Sequence, residues 1–124
     1  MQFGYSNRCL DHDTGPRHPE SPDRMRAIRE ALKDRHGVEY VDAPAAEPAD
    51  IERAHDADHV EAVREFCADG GGEWDPDTVA GEDTYEVALQ SAGLSIWAAE
   101  AALDGDDGRD TPFAIGRPPG HHAE

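Results

Sequence analysis

Lysine is almost absent from this sequence. Lys33 is the only lysine, and the other ten basic residues are arginines. The chain carries 28 acidic residues against 11 basic ones, which gives a formal net charge of −17 at pH 7. Phosphate-rich nucleic acids and anionic lipid surfaces would be repelled, so the charge argues against both as partners. We interpret it as adaptation to a high-salt cytoplasm, where screening weakens self-repulsion; an acidic interaction surface is the alternative.

Cysteines, aromatics and long apolar runs are also scarce. Cys9 and Cys67 stand alone without a paired spacing, which argues against a disulfide framework. The N-terminus has no basic region followed by an apolar run, so it does not resemble a signal peptide. No stretch approaches the roughly 18 apolar residues of a membrane span. The sequence therefore predicts a soluble, cytoplasmic protein that binds no membrane.

The apolar periodicity and the turn residues predict strands that alternate with helices. A 124-residue chain has the length of one domain. Helices are expected at 22–36, 48–54, 55–69 and 84–103, strands at 1–6, 38–41 and 111–116, and a long loop at 70–83. This alternation indicates an α/β fold with parallel strands. The long helix carries many small residues, which suits close packing against a sheet or another helix.

The sequence ends in RPPGHHAE, with the adjacent histidines His121 and His122. Such a pair fits a tag remnant, a metal site or half of a catalytic centre. Neutral imidazole can move a proton in either direction near pH 7. The two prolines fix the backbone and the glycine permits a tight turn. Because an apolar strand leads into this segment, we favour a catalytic role over a tag.

Four blocks of the chain resemble the histone deacetylase superfamily, which includes acetoin-utilization proteins and acetylpolyamine amidohydrolases. AIGRPPGHHAE at the end of the chain is similar to the tandem-histidine signature of that family. HDTGPRHPESPDRMRAI, residues 12–28, resembles its N-terminal pattern. Ala54-His55 followed by His59-Val60, and DPDTVAGEDTYEVALQSAG at residues 75–93, resemble two further segments in the family's order, although position 59 is usually tyrosine there.

The resemblance implies both a fold and a reaction. The fold would be the N-terminal portion of an open, mainly parallel α/β sheet in a three-layer deacetylase/arginase-like domain. The reaction would be zinc-dependent hydrolysis that removes acetyl groups from acetyl-lysine or related small N-acetyl amines. Zinc would polarise the acetyl carbonyl and lower the pKa of the attacking water.

The roles of single residues follow from the same resemblance. His121 and His122 match the tandem histidines, with His122 as the main general base and then acid and His121 as its electrostatic partner. Asp77 matches the aspartate that holds the substrate backbone at the rim of the site. Arg24 matches an arginine near the internal channel of the pocket. His18 and Glu20, within the block at residues 12–28, also match the family pattern, and we expect structural roles for them.

The metal ligands of the family have no counterpart in this sequence. They are an Asp-x-His pair and a later aspartate, all downstream of the tandem histidines, and so are the transition-state tyrosine and the aspartates that orient the histidines. We therefore expect residues 1–124 to be the N-terminal part of a single histone-deacetylase-like domain. We also expect the isolated chain to bind no catalytic zinc and to hydrolyse nothing.

Two other classes of function stay open at this stage. The chain could be a non-catalytic acidic remnant or a partner-binding module. It could instead be a metal-binding domain that uses its histidines: His12, His18, His55, His121 and His122. His55 and His59 also have the spacing that places two ligands on one helix face, but no third ligand is evident near them.

Overall fold

The computed structural model describes residues 1–105 and 111–120. A three-stranded sheet is formed by β1 (Gln2–Gly4), β2 (Glu39–Val41) and β5 (Phe113–Ala114), and a separate hairpin by β3 (Gly72–Asp75) and β4 (Thr78–Ala80). The helices are α1 (Asp23–Leu32), α2 (Pro48–Ile51), α3 (Ala57–Ala68) and α4 (Thr84–Asp104), with a 3-10 helix at Asn7–Leu10. No helix in these described ranges has both the length and the apolar character needed to cross a membrane.

The larger sheet is parallel, with the strand order β2-β1-β5. The strand after α1 pairs on one side of β1, and the strand after α4 pairs on the other side. Successive strands are therefore added on opposite sides of β1, and the position between β1 and β5 is the topological switch point of the sheet. In open α/β sheets, ligands bind beyond the carboxyl ends of the strands at such a switch point. The predicted parallel α/β architecture is thus confirmed, and it directs attention to the loops after β1 and β5.

The core lies between this sheet and the helices that follow β1 and precede β5. Its buried side chains come from the sheet, the helices and the connecting loops. They are Phe3, Tyr5, Cys9, Met25, Ala43, Val87, Leu94 and Ile115. Burial raises the pKa of the thiols of Cys9 and Cys67. Both cysteines are buried and unpaired, and they serve as small apolar residues of the interior.

The predicted helix at 48–54 ends at Ile51, and the strands predicted at 1–6 and 111–116 are shorter, at Gln2–Gly4 and Phe113–Ala114. Two further differences have a clear physical cause. The first helix ends at Leu32 and not at 36, because the chain turns through Gly37, whose φ is +81°, to enter β2. The predicted loop at 70–83 contains the β3–β4 hairpin. The hairpin has no buried face, since all four residues of β3 are exposed, so it lacks the apolar alternation by which a strand is recognised.

Gly93 lets α4 approach the loop after β2 closely. A Cβ atom at this position would lie 2.0 Å from the carbonyl oxygen of Pro44 and 2.7 Å from the nitrogen of Ala46. Next to it, the Ala46 N–H donates to the Leu89 carbonyl at 2.9 Å. The contact involves backbone atoms, which cannot move aside as a flexible side chain can.

We expect Gly93→Ala to destabilise the protein, although alanine is the better helix former. Helix propensity alone would stabilise α4 by about 1 kcal/mol, but overpacking against backbone costs about 1–3 kcal/mol. Urea unfolding measures the net change. Ser95→Ala, on an exposed position of the same helix, is the matched control and should change stability by less than about 0.5 kcal/mol. A more stable Gly93→Ala variant would show that the close approach is absent in solution.

Candidate functional site

Arg117 is the central residue at the switch point. It follows β5, and its side chain is completely buried. Its Nε donates to both carboxylate oxygens of Glu20 at 2.8 and 3.0 Å, and its Nη2 donates to Glu20 Oε2 at 2.7 Å. Its Nη1 donates to the carbonyl oxygens of Cys9 at 3.3 Å and His12 at 2.7 Å. One guanidinium therefore joins the loop after β5 to the loop after β1.

Burial of this ion pair requires that both charges be satisfied. The Glu20 side chain is 13% exposed and the Arg117 side chain 0%. Burial acts to raise the pKa of the Glu20 carboxyl, but the hydrogen bonds and charge of Arg117, with a smaller effect from Arg24, lower that pKa overall. Thr14 Oγ1 also donates to the Glu20 carbonyl at 2.6 Å. The carboxylate is thus held ionised in a fixed position.

Arg24, predicted near an internal channel, lies in the first turn of α1. Its Nη2 donates to the Gly116 carbonyl at 2.7 Å and lies 3.6 Å from Glu20 Oε1. The structure therefore brings Arg24 to the same loop as Arg117. Ser91 of α4 completes the support of this loop by donating from Oγ to the Pro118 carbonyl at 3.1 Å.

Asp77, predicted at the rim, lies in the exposed turn of the β3–β4 hairpin. Its backbone carbonyl is 2.8 Å from Nε2 of His18. The Glu20 N–H donates to Nδ1 of the same ring at 3.1 Å. The hairpin turn and the loop of Arg117 are therefore both attached to residues 18–20.

His121 and His122, the predicted acid–base pair, lie outside the described residues. The structure places Gly120, the residue directly before them, at the end of the loop that Arg117, Arg24 and Ser91 hold. In the sequence, the two histidines therefore come directly after a loop that is anchored at the switch point of the sheet.

His12 is buried beside this network. Its Nδ1 lies 2.9 Å from Thr84 Oγ1, which accepts a hydrogen bond from the Gly81 N–H at 2.8 Å. Burial lowers the pKa of His12 below its ordinary value of 6.5, and the charge of Arg117 acts in the same direction. The ring is therefore favoured in its neutral form in the folded protein.

The lowered pKa of His12 predicts a loss of stability in mild acid. The unfolded chain takes up a proton on this ring near pH 6.5, whereas the folded protein takes it up only at lower pH. The stabilising contribution is therefore complete above pH 6.5 and is lost as the pH falls towards the folded pKa. Urea unfolding between pH 7 and 5 should show this fall, and His12→Asn should reduce its slope. If the free energy of unfolding depends equally on pH in the wild type and in His12→Asn, His12 is not the group responsible.

The histidine pair His55 and His59 does not form a metal site with other described residues. The two rings stack with centroids 5.5 Å apart, and His59 also contacts the edge of Trp74. Within residues 1–105 and 111–120, no group of three or more His, Cys, Asp or Glu residues is arranged to hold a metal ion. His12 and His18 are likewise engaged in separate hydrogen bonds.

The buried arginine was not predicted from the sequence. Arginine is usually exposed, so the sequence indicates Arg117 only as part of the RPPG lead-in. The available signal was an arginine between an apolar strand and two prolines, together with an isolated glutamate in the HPE block. Neither residue alone indicates that the two form an ion pair across 97 residues of sequence.

Comparisons with known proteins find similar sequences. Residues 18–124 match the family described as Histone deacetylase domain. The chain is 36% identical over 129 residues to an uncharacterized protein of Synechocystis, covering 96% of this chain and 40% of that protein. It is 33% identical to the histone deacetylase-like amidohydrolase of Pseudomonas aeruginosa, covering 97% of this chain and 36% of that protein.

A solved structure shows the same likeness in three dimensions. The crystal structure of the HDA15 HD domain superposes with a TM-score of 0.84 at 31% identity, and the match covers 99% of this chain and 38% of that one. The chain thus spans about two fifths of the length of the proteins that it matches.

Proposed function

The chain belongs to the histone deacetylase family, and from this premise we propose that it supplies the acid–base part of a deacetylase. Its substrates would be acetyl-lysine or related small N-acetyl amines. The observation that supports this most is the buried Arg117–Glu20 pair, because it fixes the lead-in to the tandem histidines at the switch point of the sheet. Catalytic side chains act best on such rigidly held supports.

In this proposal the proton transfers are made by the tandem histidines. His122 would take a proton from the attacking water and later give it to the amine nitrogen as the C–N bond breaks. His121 would stabilise the charges that develop beside it. Asp77, exposed at the hairpin turn, would accept hydrogen bonds from the backbone N–H groups of a peptide substrate. This role favours acetyl-lysine within a peptide over a free acetylated polyamine.

Zinc is the cofactor that the family resemblance implies. The described residues do not fit it, because they contain no suitable group of three ligands. We therefore propose that the ligands lie outside the described residues, and we assign no step to the metal. When bound, zinc would polarise the acetyl carbonyl. Chelation should abolish deacetylation, and added Zn²⁺ should restore it.

A substrate comparison tests the proposed function. The protein should be expressed from its complete gene, so that any sequence flanking these 124 residues is present. This complete gene product should release acetate from an acetyl-lysine peptide, and faster than from a monoacetylated diamine. The 124-residue chain alone should release none. A folded complete gene product that releases acetate from neither substrate would favour the alternative, a non-catalytic acidic remnant or partner-binding module.

We propose that the protein is cytoplasmic. We also propose that it contacts neither nucleic acid nor membranes, because the net charge of these 124 residues, −17, would repel both. The same charge supports adaptation to high salt, which remains a prediction.

A further inference from the structure

Residues 18–20 hydrogen-bond both to the hairpin turn and to the buried arginine. His18 contacts the carbonyl of Asp77 through Nε2. Two residues later, the Glu20 carboxylate accepts three hydrogen bonds from Arg117. The proposed substrate contact and the lead-in to the proposed proton-transfer residues are thus attached to one short piece of backbone.

The partners of His18 fix the tautomer of its ring. The Glu20 N–H can only donate, so Nδ1 must accept and carries no proton. The Asp77 carbonyl can only accept, so Nε2 must carry the proton and donate it. The two bonds require the same neutral tautomer and support each other. The ring therefore acts as a rigid spacer between Glu20 and the hairpin turn.

We propose that His18 is a positioning residue for peptide substrates. It holds the backbone of the Asp77 turn at a set distance from the Glu20–Arg117 pair, and thereby from the loop that leads to His121. This inference rests on the proposed function for its catalytic consequence. Its structural part, the restraint of the β3–β4 hairpin by His18, is independent of catalysis.

The proposal predicts an effect that depends on the substrate. A peptide uses Asp77 through its backbone, whereas a small N-acetyl amine has no backbone for Asp77 to hold. His18→Ala should therefore raise KM for an acetyl-lysine peptide by about 3- to 10-fold, the usual effect of one lost hydrogen bond. kcat for the peptide, and both kcat and KM for the small N-acetyl amine, should stay within about twofold of the wild-type values. A general loss of folding would change both substrates alike.

Two isosteric variants separate the two bonds of the ring. In His18→Gln the side-chain NH₂ can replace Nε2 and still donate to the Asp77 carbonyl. In His18→Asn the side-chain oxygen can replace Nδ1 and still accept from the Glu20 N–H, but the shorter side chain no longer donates to the Asp77 carbonyl. The glutamine variant should retain the low KM of the wild type for the peptide, and the asparagine variant should resemble His18→Ala.

Amide hydrogen exchange of the complete gene product gives a second readout that needs no activity. Exchange across residues 72–80 should be faster in His18→Ala and His18→Asn than in the wild type and His18→Gln, with little change in α4. Unchanged hairpin exchange, or equal KM changes for both substrates, would overturn the proposal.

If the wild type hydrolyses neither substrate, the proposed function fails and hairpin exchange alone decides the role of His18. If His18→Ala does not fold, the asparagine and glutamine variants decide it.

Discussion

Replacing Arg117 by methionine is expected to destabilise the protein by about 3–5 kcal/mol. Methionine fills much of the same volume but donates no hydrogen bonds. The mostly buried Glu20 carboxylate would keep only Arg24, 3.6 Å from its Oε1, as a charged partner. The carbonyl groups of Cys9 and His12 would each lose a donor. A buried charge that has lost all its direct hydrogen bonds to its main partner is costly, so the loss should far exceed that of an exposed ion pair. The free energy of unfolding, measured in urea, gives the size of the effect.

The controls for this prediction come from the same chain. Arg26→Met removes an exposed arginine that pairs with Asp23 at 2.8 Å, and it should cost less than about 1 kcal/mol. Glu20→Gln combined with Arg117→Met should cost less than the sum of the single changes, because no unpaired charge then remains. Additive losses in this cycle, or equal losses for Arg26→Met and Arg117→Met, would mean that the buried pair is not formed.

Replacing His122 by alanine is expected to have the largest effect on activity. General acid–base catalysis contributes a factor of about 10²–10⁴ to the rate, and we assign both proton transfers to this ring. kcat for an acetyl-lysine peptide should fall by that factor in the complete gene product. KM should change little, because the proposed peptide contact is Asp77.

Two other histidines provide the comparison for His122. His121→Ala should lower kcat by a smaller factor, because we assign His121 only an electrostatic role. His36→Ala, at an exposed position after α1, should leave kcat unchanged. A larger loss in His121→Ala than in His122→Ala would reverse the assigned roles. An unaltered rate in both variants would remove the tandem histidines from the reaction.

Strong local signals in the sequence predicted most of the fold. The long helix, expected at 84–103, is found at Thr84–Asp104, since small and apolar residues repeat along it. The strand at 38–41 is found at Glu39–Val41 and pairs in parallel with β1 as an α/β fold requires. The fold class thus followed from periodicity and from the order of the elements.

The features that the sequence did not reveal depend on contacts between distant residues. The β3–β4 hairpin pairs through its backbone, and all four residues of β3 are exposed, so no apolar alternation marks it in the sequence. The Glu20–Arg117 pair joins two loops that meet only when β1 and β5 lie side by side. For the site, the sequence predicted Arg24 and Asp77 by resemblance, but it gave no indication that His18 connects the turn of Asp77 to Glu20.

The most direct test of the account is to follow the oxygen of water during the reaction. The complete gene product should be incubated with an acetyl-lysine peptide in H₂¹⁸O, and the acetate analysed by mass spectrometry. Hydrolysis by a histidine-activated water predicts the deacetylated peptide, with a free lysine side-chain amine, and an equal amount of acetate that carries one ¹⁸O atom. Absence of acetate from the folded protein, or acetate without ¹⁸O, would contradict the account.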